Sequence, residues 1–257
     1  MHYTKKNYKK AGVKMRIKIE IETECEELPI DYRGKFLSYV KSAFADYSPE
    51  LFAALYENGS QPKSFCFSIF FVPEVEIGKD GIALHSKRFV VWFTSPDILM
   101  GVHLTNAFMI RRYKWFPLAD CNNTLRVLSI SNVQERPITG NSILFKTLSP
   151  IVIRDHNKET SRDWYYTFED DAFEEIWKRN LKTELQDKFN RNVDNDISAL
   201  QMRPIHMKKT VVKNYGIYIP CTIGSFVLEG EKYLLEYLYK AGMGSKRSIG
   251  FGCLDIV

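Results

Sequence analysis

"AGMGSKRSIGFGCLDIV", residues 241–257, closes the chain, and its reading decides the fold. Gly242, Gly244, Gly250 and Gly252 bracket a short basic insert, and an apolar run follows. Glycine-rich loops often cradle phosphates. A dinucleotide fingerprint, however, needs G-x-G-x-x-G after a strand and at the start of a helix, where the helix N-terminus meets the pyrophosphate. Here the third glycine comes late, at Gly250, and the order is reversed. "EKYLLEYLYKA" (231–241) reads as a helix before the loop, and "IGFGCLDIV" (249–257) reads as a strand after it. No G-K-[ST] is present, which excludes a Walker loop. No cofactor is expected. What remains is a loop with Lys246 and Arg247 at its tip. Its glycines let backbone N–H groups come close to another backbone. Its two cations would add salt-sensitive phosphate affinity. The alternative is a turn that only joins helix to strand.

Working outward, the second half of the chain opens with "ILFKTLSPIVI" (143–153), a strand broken by Ser149-Pro150. A helix follows, with Thr167 as cap, Asp170 at N3, and Phe173, Ile176, Trp177, Leu181 and Leu185 at helical spacing. Two long strand-like runs (201–213 and 216–230) meet around Asn214-Tyr215-Gly216. The final helix, glycine loop and strand complete β-α-β-β-α-β. The first half has the same order. Residues 15–22 alternate, with Ile17, Ile19 and Ile21 on one face. A helix over 31–47 carries Phe36, Tyr39, Val40 and Phe44. Ser48 caps a further helix with Pro49 at N1, ending at Gly59 as C′ glycine. Strands over 64–72 and 88–95, a helix capped by Ser95, and a strand from Thr124 follow. The expectation is an α+β protein of two tandem ferredoxin-like (RRM-like) domains, each an antiparallel sheet with helices on one face. The "RPITG" turn (136–140) divides the domains into 15–136 and 140–257, after a basic extension over 1–14.

The 257 residues are 45% hydrophobic and 26% charged, as in a globular chain, and the net charge of +5 suits an anionic partner. Five scattered cysteines show no C-x-x-C spacing, so reduced thiols in a cytoplasmic protein are expected and no metal site is. No apolar run approaches the ~18 residues of a membrane span.

The closing loop resembles that of the CRISPR-associated repeat-RNA endoribonucleases, the Cas-six family of the RAMP superfamily. Gly242-Met243-Gly244 and Gly250-Phe251-Gly252 match the two glycine-hydrophobic-glycine halves of the family's loop around its basic insert. "FKTLSPIVI" (145–153), "LPIDYRGKFLSYV" (28–40) and "LYENGSQPKSFCFSIF" (55–70) extend the similarity over nearly the whole chain. The resemblance implies binding of a CRISPR repeat RNA and one metal-independent cut, in which a ribose 2′-OH attacks the adjacent phosphate to leave a 2′,3′-cyclic phosphate. It also implies an effector ribonucleoprotein complex or a second copy of the chain as further partners.

In many relatives a histidine ends the second N-terminal helix. Tyr56 stands at the matching position here, and Lys63 matches a lysine that often assists. Tyr56 is either a proton donor whose pKa neighbouring lysines lower from about 10, or a packing ring. Tyr39 and Lys41 are weaker candidates. His2, His85, His103, His156 and His206 all lie outside the motif. Without the histidine, the chain is either a slower enzyme or a repeat-RNA binding subunit with weak or no cleavage. Gly242, Gly244, Lys246, Arg247, Gly250 and Gly252 are the RNA-binding candidates in the loop. Arg203, Lys208 and Lys209, with Lys213, are candidates on the long hairpin. Arg111, Arg112 and Lys114, interleaved with Tyr113 and Trp115, form a further basic cluster suited to single-strand stacking.

Overall fold

The computed structural model describes residues 16–57, 62–71, 75–79, 81–118, 121–186, 188–189 and 192–257. The expectations for the 1–14 arm, Met15, Gly59 and Val72 lie outside the described residues.

The N-terminal unit runs β1 (Arg16–Thr23), β2 (Glu27–Pro29), α1 (Tyr32–Tyr47), α2 (Pro49–Tyr56), β3 (Cys66–Phe71), β4 (Val75–Ile77), β5 (Gly81–Leu84), β6 (Arg88–Thr94), α3 (Ile98–Met109), β7 (Trp115–Pro117) and β8 (Thr124–Asn132). Its main sheet has the order β3-β6-β1-β8-β7, and β2, β5 and β4 form a small second sheet. The alternation in β1 buries Ile17, Ile19 and Ile21 against α1 and α3. Phe36 of α1 sits at the centre of this core. Its ring meets those of Tyr39, Phe67, Phe89, Phe93 and Phe108, and burying such a ring is worth about 1.5–3 kcal/mol.

The C-terminal unit runs β9 (Ser142–Thr147), β10 (Ile153–Asn157), β11 (Arg162–Tyr166), α4 (Phe173–Leu185), α5 (Asp194–Ala199), β12 (Gln201–Asn214), β13 (Ile217–Glu229), α6 (Lys232–Ala241), a 3-10 turn (Arg247–Ile249) and β14 (Leu254–Ile256). Its sheet order, β12-β13-β9-β14, repeats the order of the main strands of the N-terminal sheet, β3-β6-β1-β8. The structure is therefore a tandem of ferredoxin-like folds.

Local chemistry departs from expectation at three helix or strand starts. Ser48 caps α2, accepting from Leu51 N at 3.2 Å with Pro49 next. At α3, however, the cap is Asp97, which accepts from Leu99 N at 2.9 Å, while the Ser95 hydroxyl is turned to the Ser64 carbonyl. Asp170 accepts from both the backbone N–H and the hydroxyl of Thr167, but this closes a turn ahead of α4, which begins at Phe173. The last strand starts at Leu254, not residue 249, because Gly250 and Gly252 have φ of +88° and +71° and cannot extend the strand.

A candidate active site where the two units meet

The glycine loop is first of all an internal joint. A Cβ on Gly252 would lie 2.0 Å from the Met243 carbonyl, and one on Gly244 would lie 2.4 Å from the Val152 carbonyl. Met243 and Phe251, the middle residues of the two glycine-hydrophobic-glycine halves, are fully buried. The loop also reaches the N-terminal unit. A Cβ on Gly250 would meet the Phe67 ring at 2.8 Å, the Cys66 thiol donates to the Phe251 carbonyl, and Arg33 Nε donates to the Gly250 carbonyl. Thus the close backbone approaches that these glycines permit are to protein backbone and side chains.

A second tie lies beside the first. Arg16, at the start of β1 and 1% exposed, donates to Asp255 Oδ1 at 2.8 Å and to the Leu254 carbonyl, and lies 4.4 Å over the Tyr239 ring.

The structure corrects the placement of Arg247. It is not at an exposed tip. Its guanidinium turns inward to Glu184 Oε1 at 2.6 Å and the Gly242 carbonyl at 3.4 Å. Lys246 is half-buried in a left-handed conformation, φ +60°. Burial, and then Arg154, holds its ammonium pKa below the ordinary value.

Tyr56, at the end of α2, has lysines over its ring: Lys41 Nζ at 5.1 Å from the centroid and Lys63 Nζ at 5.2 Å. Cation–π geometry places both ammoniums at the ring and not at the hydroxyl. The hydroxyl is buried with no hydrogen-bond partner. Burial, followed by the nearby phenol of Tyr215, pushes its pKa well above 10. The expected lowering by neighbouring lysines is reversed, and the phenol is a donor, not a base. Lys63 shifts the other way. Burial and the like charge of Lys41 hold its pKa below the ordinary lysine value. Tyr39 is a core residue, its pKa pushed up to about 12 by burial.

Tyr215 was legible only as part of a turn. It lies at the tip of the β12–β13 hairpin, where Asn214 pairs with Ile217, so Tyr215 and Gly216 form a two-residue loop. Their φ values of +49° and +78° make this a type I′ turn. The tip docks on α1. Tyr215 N–H donates to Asp31 Oδ2 at 2.9 Å, and the ring edge lies on Gly34, where a Cβ would be 3.2 Å from Tyr215 Cε1. Asp31, Gly34, Ser38 and Lys41 share one face of α1 by their spacing. This face leads from the tip towards the Tyr56 ring.

Arg203, Lys208 and Lys209 are exposed on β12, the edge strand of the C-terminal sheet. A groove of about 890 Å³ beside them is lined by Lys146, Ser149, His206 and Lys208. In the other basic cluster, Arg111 is buried, ion-paired to Asp46 and 4.1 Å over the Phe116 ring. It supports the fold and is not available for stacking. Tyr113 and Trp115 are exposed, with Arg112 and Arg126 over their rings. His103 is tied to the Tyr47 hydroxyl and His156 to Asp163. No helix among the described residues is long and apolar enough to cross a membrane.

A family model described as CRISPR associated protein Cas6, C-terminal, matches residues 133–256. A Methanocaldococcus jannaschii protein named CRISPR-associated endoribonuclease Cas6 1 is 26% identical over 249 residues, covering 93% of this chain and 91% of its own. Among solved structures, one titled "An RAMP protein binding different RNA substrates" superimposes with a TM-score of 0.80 at 19% identity, covering 95% of this chain and 99% of its own. Another, of a Cas6-related gene from Pyrococcus furiosus, superimposes at 0.78 and 20% identity, covering 95% and 98%. Both share the fold described above.

Proposed function

This chain belongs to the Cas6 family, and on that premise we propose that it binds CRISPR repeat RNA and cuts precursor transcripts without a metal. The observation that carries this reading is the convergence of Lys41 and Lys63 on Tyr56, beside the docked tip of the C-terminal hairpin.

The reaction forms a bond between the 2′-oxygen and phosphorus and breaks the bond from phosphorus to the 5′-oxygen. The 2′-OH must lose a proton and the departing 5′-oxygen must gain one. Lys63 is the acceptor, because its lowered pKa makes a larger share of free amine available near neutral pH. Tyr56, kept protonated by burial, donates to the leaving oxygen when bound RNA uncovers its hydroxyl. Lys41 offsets the charge that develops on the phosphorane, as preorganised cations do. Lys246 and the exposed Arg203, Lys208 and Lys209 hold the RNA backbone. Gly242, Gly244, Gly250 and Gly252 shape the loop that presents Lys246, and Arg247 holds that loop from inside.

A second reading rests on the Tyr56 hydroxyl, which is buried without a partner. A site lacking a group that titrates near neutrality could bind repeat RNA and cut it slowly. A general base typically supplies about 10²–10⁴-fold, and positioning can supply much of the remainder.

The test is incubation of the full chain with its cognate repeat RNA in EDTA, with the product ends mapped. A single cut giving a 2′,3′-cyclic phosphate, abolished by a 2′-deoxy substitution at the cut, supports the first reading. Tight, selective binding with no product over hours, with cleavage gained on Tyr56→His, supports the second. Absence of selective binding refutes both.

A further inference from the structure

The hairpin tip carries a residue its geometry disfavours. In a type I′ turn the first loop position has positive φ, and Asn, Asp or Gly are preferred there. This chain places Tyr215 at that position, with φ +49°. A bulky residue in the left-handed region is strained, and such strain persists where the surroundings over-determine it, most often at functional sites.

The surroundings here hold the backbone more than the ring. The N–H of Tyr215 is fixed by Asp31 Oδ2, a bond that any residue at this position could make. The ring touches Gly34 by one edge, and the residue remains 57% exposed. Packing therefore does not account for the tyrosine. What the strained turn achieves is to carry an exposed aromatic face from the C-terminal unit onto the helix that bears Lys41. Next to it, Tyr218 is 69% exposed, with Lys213 Nζ 6.0 Å from its ring centroid. Exposed aromatics flanked by cations form a surface on which unpaired bases stack.

From this geometry we infer that Tyr215 is a positioning residue, whose ring stacks on a base flanking the scissile phosphate and sets the nucleotide in line with the Tyr56–Lys63 site. The proposal rests on the reading above for its ligand, RNA, and adds a contact from across the join. It places the C-terminal hairpin in the cutting geometry as well as in RNA affinity.

Three forms of the full chain test it: wild type, Tyr215→Asn and Tyr215→Phe. For each, thermal unfolding, the dissociation constant for the cognate repeat, and the single-turnover cleavage rate in EDTA are measured. Tyr215→Asn creates the preferred Asn-Gly turn and keeps the N–H to Asp31, so its melting temperature equals or exceeds that of wild type. Its cleavage rate falls at least about ten-fold, with base stacking as the lost interaction. Tyr215→Phe recovers most of that loss. An RNA with abasic sites flanking the cut reduces the wild-type rate and removes the difference between wild type and Tyr215→Asn. If wild type binds without cutting, the dissociation constants carry the same comparison. Rates and affinities of Tyr215→Asn equal to wild type overturn the inference and leave the proposed function standing. A Phe variant as poor as the Asn variant also overturns it, because the hydroxyl and not the ring is then in use. A wild type that neither binds nor cuts the repeat refutes the proposed function and this inference with it.

Discussion

Arg247 divides the two meanings of the glycine loop, and removing its partner tests which one holds. Its guanidinium is 10% exposed and meets Glu184, itself 17% exposed, at 2.6 Å. Glu184 also accepts from the Tyr237 hydroxyl. Glu184→Ala leaves the guanidinium with the Gly242 carbonyl and the Tyr237 hydroxyl. Breaking a buried pair by removing one member costs about 3–5 kcal/mol, because the remaining charge is desolvated and uncompensated. Both groups retain some solvent contact, so the lower end, about 3 kcal/mol, is the expectation. For a chain of this size each kcal/mol moves the melting temperature by roughly 2–4 °C, giving a fall of roughly 6–12 °C. Calorimetry or far-UV circular dichroism reads it directly. Lys246→Ala is the control, with a stability change within about 0.5 kcal/mol and weaker RNA binding. A Glu184→Ala protein that melts within 2 °C or so of wild type would falsify the inward role of Arg247. So would an Arg247→Ala variant that loses RNA affinity while keeping its melting temperature.

Three further outcomes follow from the same geometry. The cleavage rate should rise with pH and level off below the ordinary lysine value, because the amine form of Lys63 is the acceptor and its pKa is lowered. Lys41→Met relieves the like charge and moves that limb to higher pH, as a pH–rate profile will read. Gly252→Ala should destabilise the protein more than Gly250→Ala, since its Cβ meets the Met243 backbone carbonyl at 2.0 Å and the other meets a ring edge at 2.8 Å. Chemical denaturation ranks the two. Lys208→Ala with Lys209→Ala should reduce the salt dependence of repeat binding by about 0.7 per lost contact on single-stranded RNA, with stability unchanged. A titration of affinity against salt checks this.

Much of the frame is legible in order and period. Ile17, Ile19 and Ile21 alternate and are buried together; Phe36, Tyr39, Val40 and Phe44 recur at helical spacing and face one core. These are local patterns, and the backbone repeat turns them into faces. Ser95 misled because a cap depends on where its hydroxyl finds partners, and these are the Ser64 carbonyl, 31 residues away, and the backbone of Asp97, the residue that caps the helix in its place. The small sheet of β2, β4 and β5 escaped because its strands are only three or four residues long.

The site divides in the same way. Sequence alone determined the tandem fold class and the glycine pattern that resembles the family's loop, and it offered Tyr56 and Lys63 as candidates for the site. Tertiary structure decided that Arg247 faces inward, that burial raises the pKa of Tyr56 and lowers that of Lys63, and that Tyr215 arrives from the other unit. The reason is physical. Charge state and direction depend on burial and on the nearest opposite or like charge, and those neighbours are remote in the chain. Glu184 lies 63 residues from Arg247, Asp31 lies 184 from Tyr215, and Asp255 lies 239 from Arg16. No periodicity records such pairs; they exist only once the chain has folded and, for Asp31 with Tyr215 and Asp255 with Arg16, once the two units have met.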